Sequence, residues 1–410
     1  MTNRHLPTFD HLPAREEIIK RIIDHWPLER KTEVIPVTEG LGRIPAADVF
    51  SQVTLPVLRA SAGDGIAVNS ACFSQGPPDT GNWVLGVDYA RADTGDDFCD
   101  SFDAVIMIED VSFAADGGLT IREGVAVKPG SCVRPAGSTV RAGQRLVQAN
   151  LPLRPRDLAG LQMGGVQEIT VWKKPVTAFI PSGSELIPPG APLSRGKNID
   201  TNSLLVSKTL EQLGAEPLCF PIVPDAYEPL KQALLTALAQ ADIVLINGGS
   251  SKGDEDCTAT LLHENGRVLC HGSQAVPGKP LCAAIIQGKP VINLPGPFMA
   301  AYHGLEWCVN NLVSHYLQQP PRARQLLQAT LTKEVRGSDM VSILLVVEVE
   351  RKKDGSGYWA TPMSFKDIPL ARTIAANGQY MTKLDEYIPA GGEIQVQLLR
   401  SLAQIPQADY

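Results

Sequence analysis

Residues 241–258, ADIVLINGGSSKGDEDCT, carry the densest set of groups able to do chemistry. An apolar run at 243–246 stops at Gly248 and Gly249. Ser250, Ser251 and Lys252 follow, then Asp254, Glu255 and Asp256. The pattern predicts a buried strand that opens into a loop at its carboxyl end. Paired glycines let backbone N–H groups face an anion closely, because no Cβ intervenes. Carboxylates just beyond suit a hard cation such as Mg²⁺, which bridges protein carboxylates and substrate phosphates. The segment fits a site for a phosphorylated small molecule. It fits equally a surface loop that is polar because it is wet.

Such a loop needs a sheet beneath it. From residue 176 onward, apolar runs at 176–180, 217–223, 243–246 and 291–294 alternate with helical patterns at 203–213, 227–240, 256–264 and 299–317. Thr201 and Asn202 are placed to cap the first of these helices and Gly214 to end it. The alternation predicts a parallel sheet with helices on both faces. Ligands of such sheets bind at the carboxyl ends of the strands. The polar loops fall at those ends: 182–185, Asp225, 248–256, and Pro295 with Gly296.

The flanks read differently. Residues 13–26 set Ile18, Ile19, Ile22 and Ile23 on one side of an amphipathic helix. Runs at 83–87, 104–108, 119–121 and 125–128, separated by Gly, Pro and Asp, predict a small all-β unit within 51–147. A short helix at 155–164 and a strand at 169–172 follow. Beyond a linker at 318–324, β-rich runs at 344–349, 358–361 and 394–399 predict a closing small barrel or sandwich.

At 410 residues the chain suits several domains rather than one core. Its 44% apolar and 20% charged residues are those of a folded, soluble protein. A net charge of -7 argues against nonspecific nucleic-acid binding, which demands a cationic surplus. No run approaches the roughly 18 apolar residues of a membrane span, and the N-terminus lacks a secretory apolar stretch. The eight cysteines include no CxxC pair and read as reduced, buried small hydrophobes of a cytoplasmic protein. The seven histidines show no zinc spacing.

Several segments match one family in order. They are VTEGLGRIPAADV (37–49), LPVLRASAGDGIAV (55–68, beside SxMDGYA) and ADTGDDFCDSFDAVIMIED (92–110, beside TGAxxPxGADAVVMxED). PGSCVRPAG (129–137), SGSEL (182–186), DTNSLL (200–205), NGGSSKGDEDCT (247–258), PGKP (277–280) and LPG (294–296) follow. Together these resemble the molybdopterin molybdenumtransferases, of MoeA and gephyrin E-domain type, which insert molybdate into adenylylated molybdopterin. The resemblance implies a multidomain α/β fold. Residues 1–50 with 140–172 would form a discontinuous dimerisation unit, and 51–139 a β-rich insertion domain. Residues 173–319 would form a MogA-like doubly wound α/β domain, and 325–410 a C-terminal β-barrel-like domain. It further implies a homodimer whose active sites take residues from two chains, with adenylylated molybdopterin and molybdate as substrates.

The same resemblance assigns residues. Glu185 and Asp256 fall where metal-binding and catalytic carboxylates stand, with Mg²⁺ as the implied ion; Asp225 is a further acid, and Asp64 the insertion-domain acid. Ser182, Gly248, Gly249, Ser250, Lys279, Pro295 and Gly296 fall in the ligand loops, and Thr94 and Arg134 in the insertion. Each has a plain alternative: Glu185 as a first-turn helix acid, Asp256 as an N-cap, Asp64 and Thr94 as turn residues, Arg134 in a surface ion pair, Lys279 as a solvated cation. The chain also departs from the pattern. Gly63 replaces Met, Ile66 replaces Tyr, Ser138 and Thr139 replace two acids, Val276 a basic residue and Pro297 an Asn. Ser338 and Asp367 stand where arginine and serine are expected. Fewer cations around two anions define the alternative: a divergent noncatalytic or altered-specificity paralogue that binds a pterin or nucleotide.

Overall fold

The structure, a computed structural model, describes residues 12–115, 117–248, 257–364 and 368–408. The chain divides into two units, residues 31–172 and residues 1–30 with 173–410.

In the second unit a six-stranded sheet is built from β1 (Val176–Pro181), β2 (Glu216–Cys219), β3 (Ile243–Asn247), β4 (Arg267–His271), β5 (Cys282–Ile286) and β6 (Lys289–Leu294), in the order β2-β1-β3-β6-β5-β4. The first four strands of that order are parallel, and β5 and β4 are antiparallel additions at one edge. The purely parallel sheet expected from the alternation is therefore a mixed one. Strand β2 is also shorter than the expected 217–223, since Pro221 has no N–H to continue the ladder. The helices are α1 (Arg15–His25), α2 (Asn202–Leu213), α3 (Tyr227–Gln240), α4 (Cys257–Asn265) and α5 (Phe298–Gly304), the last running through a π-turn at Leu305–Val309 into Asn310–Leu317. Strands β1 and β3 present alternate faces of unbroken apolar runs. Ala178, Ile180, Val244 and Ile246 pack against Leu230, Leu234 and Leu261, the pattern of strands covered on both sides.

Helix α1 belongs to this unit, so the stretch 1–50 is not one piece in space. Ile18 and Ile22 are fully buried, and α1 packs on β4 and β5. Gly214 closes α2 in the left-handed region at φ +86°, as its position predicts. The N-cap differs from expectation. Thr201 makes no capping bond, and the Asp200 carboxylate accepts instead from the Ser203 backbone N–H at 3.0 Å and from its hydroxyl.

Downstream, β7 (Leu326–Leu331), β8 (Ser342–Arg351), β9 (Tyr358–Ser364), β10 (Gly378–Met381) and β11 (Glu393–Leu398) close on themselves, because β8 pairs with both β9 and β10. Ala329, Val347, Val349, Ala360, Val396 and Leu398 fill this five-stranded barrel.

Residues 31–172 hold three small cores among the described residues, the third around Ala67, Phe98, Phe102 and Val105. Thr32–Pro36 pairs antiparallel with Glu168–Trp172 over Ile35, Leu161 and Val171. A three-stranded sheet, Tyr89–Ala92 beside Gly65–Val68 beside Ala104–Met107, covers Ile66, Val68 and Leu119. The runs 83–87 and 125–128 are not strands. Val84 and Val87 are exposed, and the Val84 N–H bonds the Asp88 carboxylate at 2.8 Å. Lys128 N–H turns to Ser131 Oγ at 3.0 Å. Their apolar residues read as strand, but their backbone bonds are local turns: Gly86 N–H reaches the Tyr89 carbonyl three residues on, and Val125 N–H the Arg122 carbonyl three residues back.

No disulfide joins any of the eight cysteines, all of which are among the described residues, and Cys72, Cys99, Cys132 and Cys219 are exposed rather than buried as expected. Among the described residues no helix is long and apolar enough to cross a membrane.

Candidate active site at the carboxyl ends of the sheet

Chain order reverses between β1 and β3: β1 is flanked by β2 on one side and β3 on the other. A crevice opens at the carboxyl ends of strands at such a switch point. The register brings Pro181 beside Asn247 and Asn247 beside Leu294. Ser182, Gly248 and Pro295 therefore leave the sheet together. A bridge from Ser182 to Val223 brings the chain two residues before Asp225 to the same edge.

A cleft of ≈ 360 Å³ lies here, and Ser182, Glu185, Gly248 and Gly296 of the expected residues line it. Pro295 contributes through its carbonyl, which accepts from Asn247 Nδ2 at 2.9 Å. Asp225 is not on the lining, but its carboxyl is raised above the ordinary range, first by burial and then by the negative charge of Glu185. A like charge this close disfavours ionisation of Asp225. Glu185 does not open a helix; it precedes the short strand Leu186–Ile187. Its carboxylate lies where a Cβ on Gly183 would stand, 2.7 Å from that point.

Four asparagine contacts, not foreseen from the sequence, lock the cleft floor. Asn202 Nδ2 donates to Asn247 Oδ1 and to the Gly296 carbonyl, each at 2.8 Å. Asn247 Nδ2 reaches Leu294 and Pro295 carbonyls at 3.2 and 2.9 Å. The signals were there, Asn-Gly at a strand end and Asn at a helix start, but each also reads as turn chemistry. Two buried atoms of residues on this lining, Ser182 Oγ and Asn202 Oδ1, have no hydrogen-bond partner among the described residues. Both residues line the cleft, and a buried polar atom left unpaired is costly.

The glycines act differently from expectation. Gly248 donates its N–H to the Leu294 carbonyl at 3.2 Å, so it does not offer that group to an anion. It is needed for close approach: at φ +127°, a Cβ would lie 2.2 Å from the Ser182 carbonyl oxygen. At Gly296 a Cβ would meet nothing within 4 Å, so the absent side chain leaves open space. Gly249, Ser250 and Asp256, and the Asp367 departure, lie outside the described residues.

Lys279 is exposed and does not line the cleft. Its loop enters β5 where Cys282 pairs with Asn293, so it rises from the same edge of the sheet. Buried His303 ties the loop to α5, its Nδ1 donating to the Pro277 carbonyl at 2.7 Å. Burial lowers that imidazole to about 4, which keeps it neutral.

In the unit 31–172, Asp64 and Thr94 meet. The Asp64 carboxylate accepts from the Thr94 backbone N–H at 2.7 Å and from its hydroxyl at 2.8 Å. These bonds hold Asp64 below the usual carboxylate range, the backbone bond most strongly. Arg134 pairs across from Ala60 and donates to the Thr139 hydroxyl rather than to a carboxylate, so it is not in a surface ion pair. Met107 covers Gly63, its Cε lying 2.3 Å from where a Cβ would be; a larger residue there needs Met107 to move.

The donor set near Glu185 suits Mg²⁺, which keeps several waters and takes one or two carboxylates plus substrate phosphates. Glu185 and Asp225 supply two oxygen donors. Among the described residues no group of three or more His, Cys, Asp or Glu side chains is arranged to hold a metal.

Comparison with known proteins gives these features a family. Residues 14–165 match the family described as "MoeA N-terminal region (domain I and II)", and residues 178–315 match "Probable molybdopterin binding domain". A molybdopterin molybdenumtransferase of Haemophilus influenzae is 28% identical over 332 residues, covering 77% of this chain and 81% of its own. One from a Nostoc species is 28% identical over 299 residues, 68% of each chain. The crystal structure of the MoeA protein of Pyrococcus horikoshii superposes with a TM-score of 0.76 at 26% identity, over 95% of this chain and all of that one. The chain belongs to the MoeA family of molybdopterin molybdenumtransferases, enzymes of molybdenum cofactor biosynthesis.

Proposed function

We propose that this chain transfers molybdate to adenylylated molybdopterin with release of AMP, and that the strand-end cleft is where it does so. The observation that carries this is a crevice lined by Glu185 and by two residues, Ser182 and Asn202, whose buried polar atoms are unpaired among the described residues, with Asp225 near enough to feel the Glu185 charge. Two anionic reactants must meet, so stabilising charge is the main demand on the site. Glu185 and Asp225 are assigned to hold Mg²⁺, with Asp256 as the third acid; the ion would neutralise phosphate charge and polarise the P–O bond that breaks.

The chain's own groups orient the substrate. Ser182 Oγ is placed to donate to a ligand oxygen, and Asn202 Oδ1 to accept an N–H, which selects a group carrying both. The asparagine ties fix the loops at 247–248 and 295–296, so these contacts exist before the ligand arrives. Lys279 supplies a point charge toward a phosphate or oxyanion at the rim. The transferase names of the relatives do not favour the noncatalytic paralogue. We assign Asp64, Thr94 and Arg134 to the same reaction from a second copy of the chain, which makes the working form a homodimer.

Purified protein given adenylylated molybdopterin, molybdate and Mg²⁺ should release AMP in a molybdate-dependent way. Glu185→Gln should lower kcat/KM by about a hundredfold, the scale of losing one preorganised charge contact. Substrate binding without molybdate-dependent AMP release in the unaltered protein would refute the assignment.

A further inference from the structure

A second cavity, ≈ 420 Å³, opens between α5 and the barrel, and the proposed reaction makes no use of it. Phe298, Met299 and Tyr302 of α5 form one wall, with Leu344 and Val346 of β8 also on the lining. Among the described residues, the only charged groups on the lining are two guanidiniums, Arg324 and Arg400, and no carboxylate is among them. Arg324 is pre-set. Its Nε donates to Glu306 at 2.7 Å and its Nη2 to the Tyr302 hydroxyl at 3.3 Å. That hydroxyl donates onward to Gln379 Oε1 at 2.9 Å. Arg400 is exposed and has no ion-pair partner among the described residues. Arg322 shares a small adjoining hollow with Arg324. In a chain of net charge -7, three guanidiniums beside one carboxylate reverse the local sign.

The chemistry of the walls selects an occupant. Aromatic and thioether surfaces take the faces and edges of a flat ring. Guanidinium forks take carboxylate or phosphate oxygens two at a time. The volume lies within the range of small-ligand sites. We propose that this cavity is a binding site for a flat heteroaromatic anion, its ring against Phe298, Met299 and Tyr302 and its acidic group at Arg324 and Arg400. Phe298 also lines the strand-end cleft, so an occupant here touches a residue of the cleft wall. The inference stands apart from the transferase reading, since it uses none of the residues assigned to that reaction.

Pterin-6-carboxylate, a fluorescent flat anion, is the probe, titrated into the full chain and three variants. Arg400→Glu reverses one cation at an exposed position. Ile374→Trp places an indole in the cavity mouth from a residue 60% exposed, so neither change disturbs the core. Glu185→Gln reports on the other cleft. Saturable binding is expected in the unaltered chain and in Glu185→Gln, weakened about tenfold or more in both Arg400→Glu and Ile374→Trp. Uncharged 6-hydroxymethylpterin should bind more weakly than the carboxylate. No binding up to about 1 mM, or binding that survives either cavity variant, overturns the proposal. Binding lost in Glu185→Gln overturns it as well, and assigns the probe to the strand-end cleft.

Discussion

The raised carboxyl of Asp225 makes a directional statement about stability. Its proton is held more tightly in the folded chain than in the unfolded one, because burial and the Glu185 charge disfavour ionisation. Folding stability therefore falls as pH rises from the ordinary carboxylate range, about 4, through the raised value. Asp225→Asn should raise the Tm at pH 7 and raise it less at pH 4, measured by differential scanning fluorimetry. Mg²⁺ should raise the Tm of the unaltered protein at pH 7, an effect that shrinks as the pH is lowered and is weaker in Asp225→Asn. An equal Mg²⁺ response in both proteins would remove Asp225 from the ion's surroundings. Gly248→Ala tests the same site sterically. A methyl 2.2 Å from the Ser182 carbonyl must displace β1 or the loop, at a cost of about 2 kcal/mol or more, read from urea unfolding, with substrate binding lost alongside.

Elements decide what single residues can do. Three parallel strands end in register, and that alignment turns three sequence-distant loops into one floor. Asn247 joins them, so Asn247→Ala should cost about 2–3 kcal/mol by leaving buried carbonyls unpaired. It should also weaken substrate binding more than it lowers the turnover of bound substrate, which steady-state kinetics separates. The parallel half of this sheet was legible because each apolar run is followed by a helical pattern. The antiparallel edge was not: 282–286 is CAAII, too rich in small residues to stand out, and the connection before it contains Pro277 and Pro280. The segments 83–87 and 125–128 erred the other way, since apolar residues suggest a strand but only a neighbour's backbone makes one. The site followed the same rule. Polar loops at strand ends were visible one by one. The contact of Asn202 with Asn247 was not, because it joins a helix start to a strand end 45 residues apart.

For the whole molecule the question is how many chains build one active site. Glu185 and Ser182 of the cleft, and Asp225 beside Glu185, lie in the unit that holds the large sheet. The bonded pair Asp64–Thr94 and Arg134 lie in the unit 31–172. A twofold dimer contains two equivalent sites, and in the proposed form each takes its cleft from one copy and its Asp64 from the other. Asp64→Asn and Glu185→Gln should each be inactive alone. Denatured together and refolded, half of the dimers formed would be mixed. Each mixed dimer would hold one site with both changes and one with neither. Molybdate-dependent AMP release should then return to about a quarter of the level of the unaltered protein, the value twofold symmetry sets. A site built within a single chain predicts no recovery, because every copy would still lack one of the two carboxylates. Analytical ultracentrifugation of the mixture supplies the control: recovery without dimers, or dimers without recovery, would separate the assembly from the shared site.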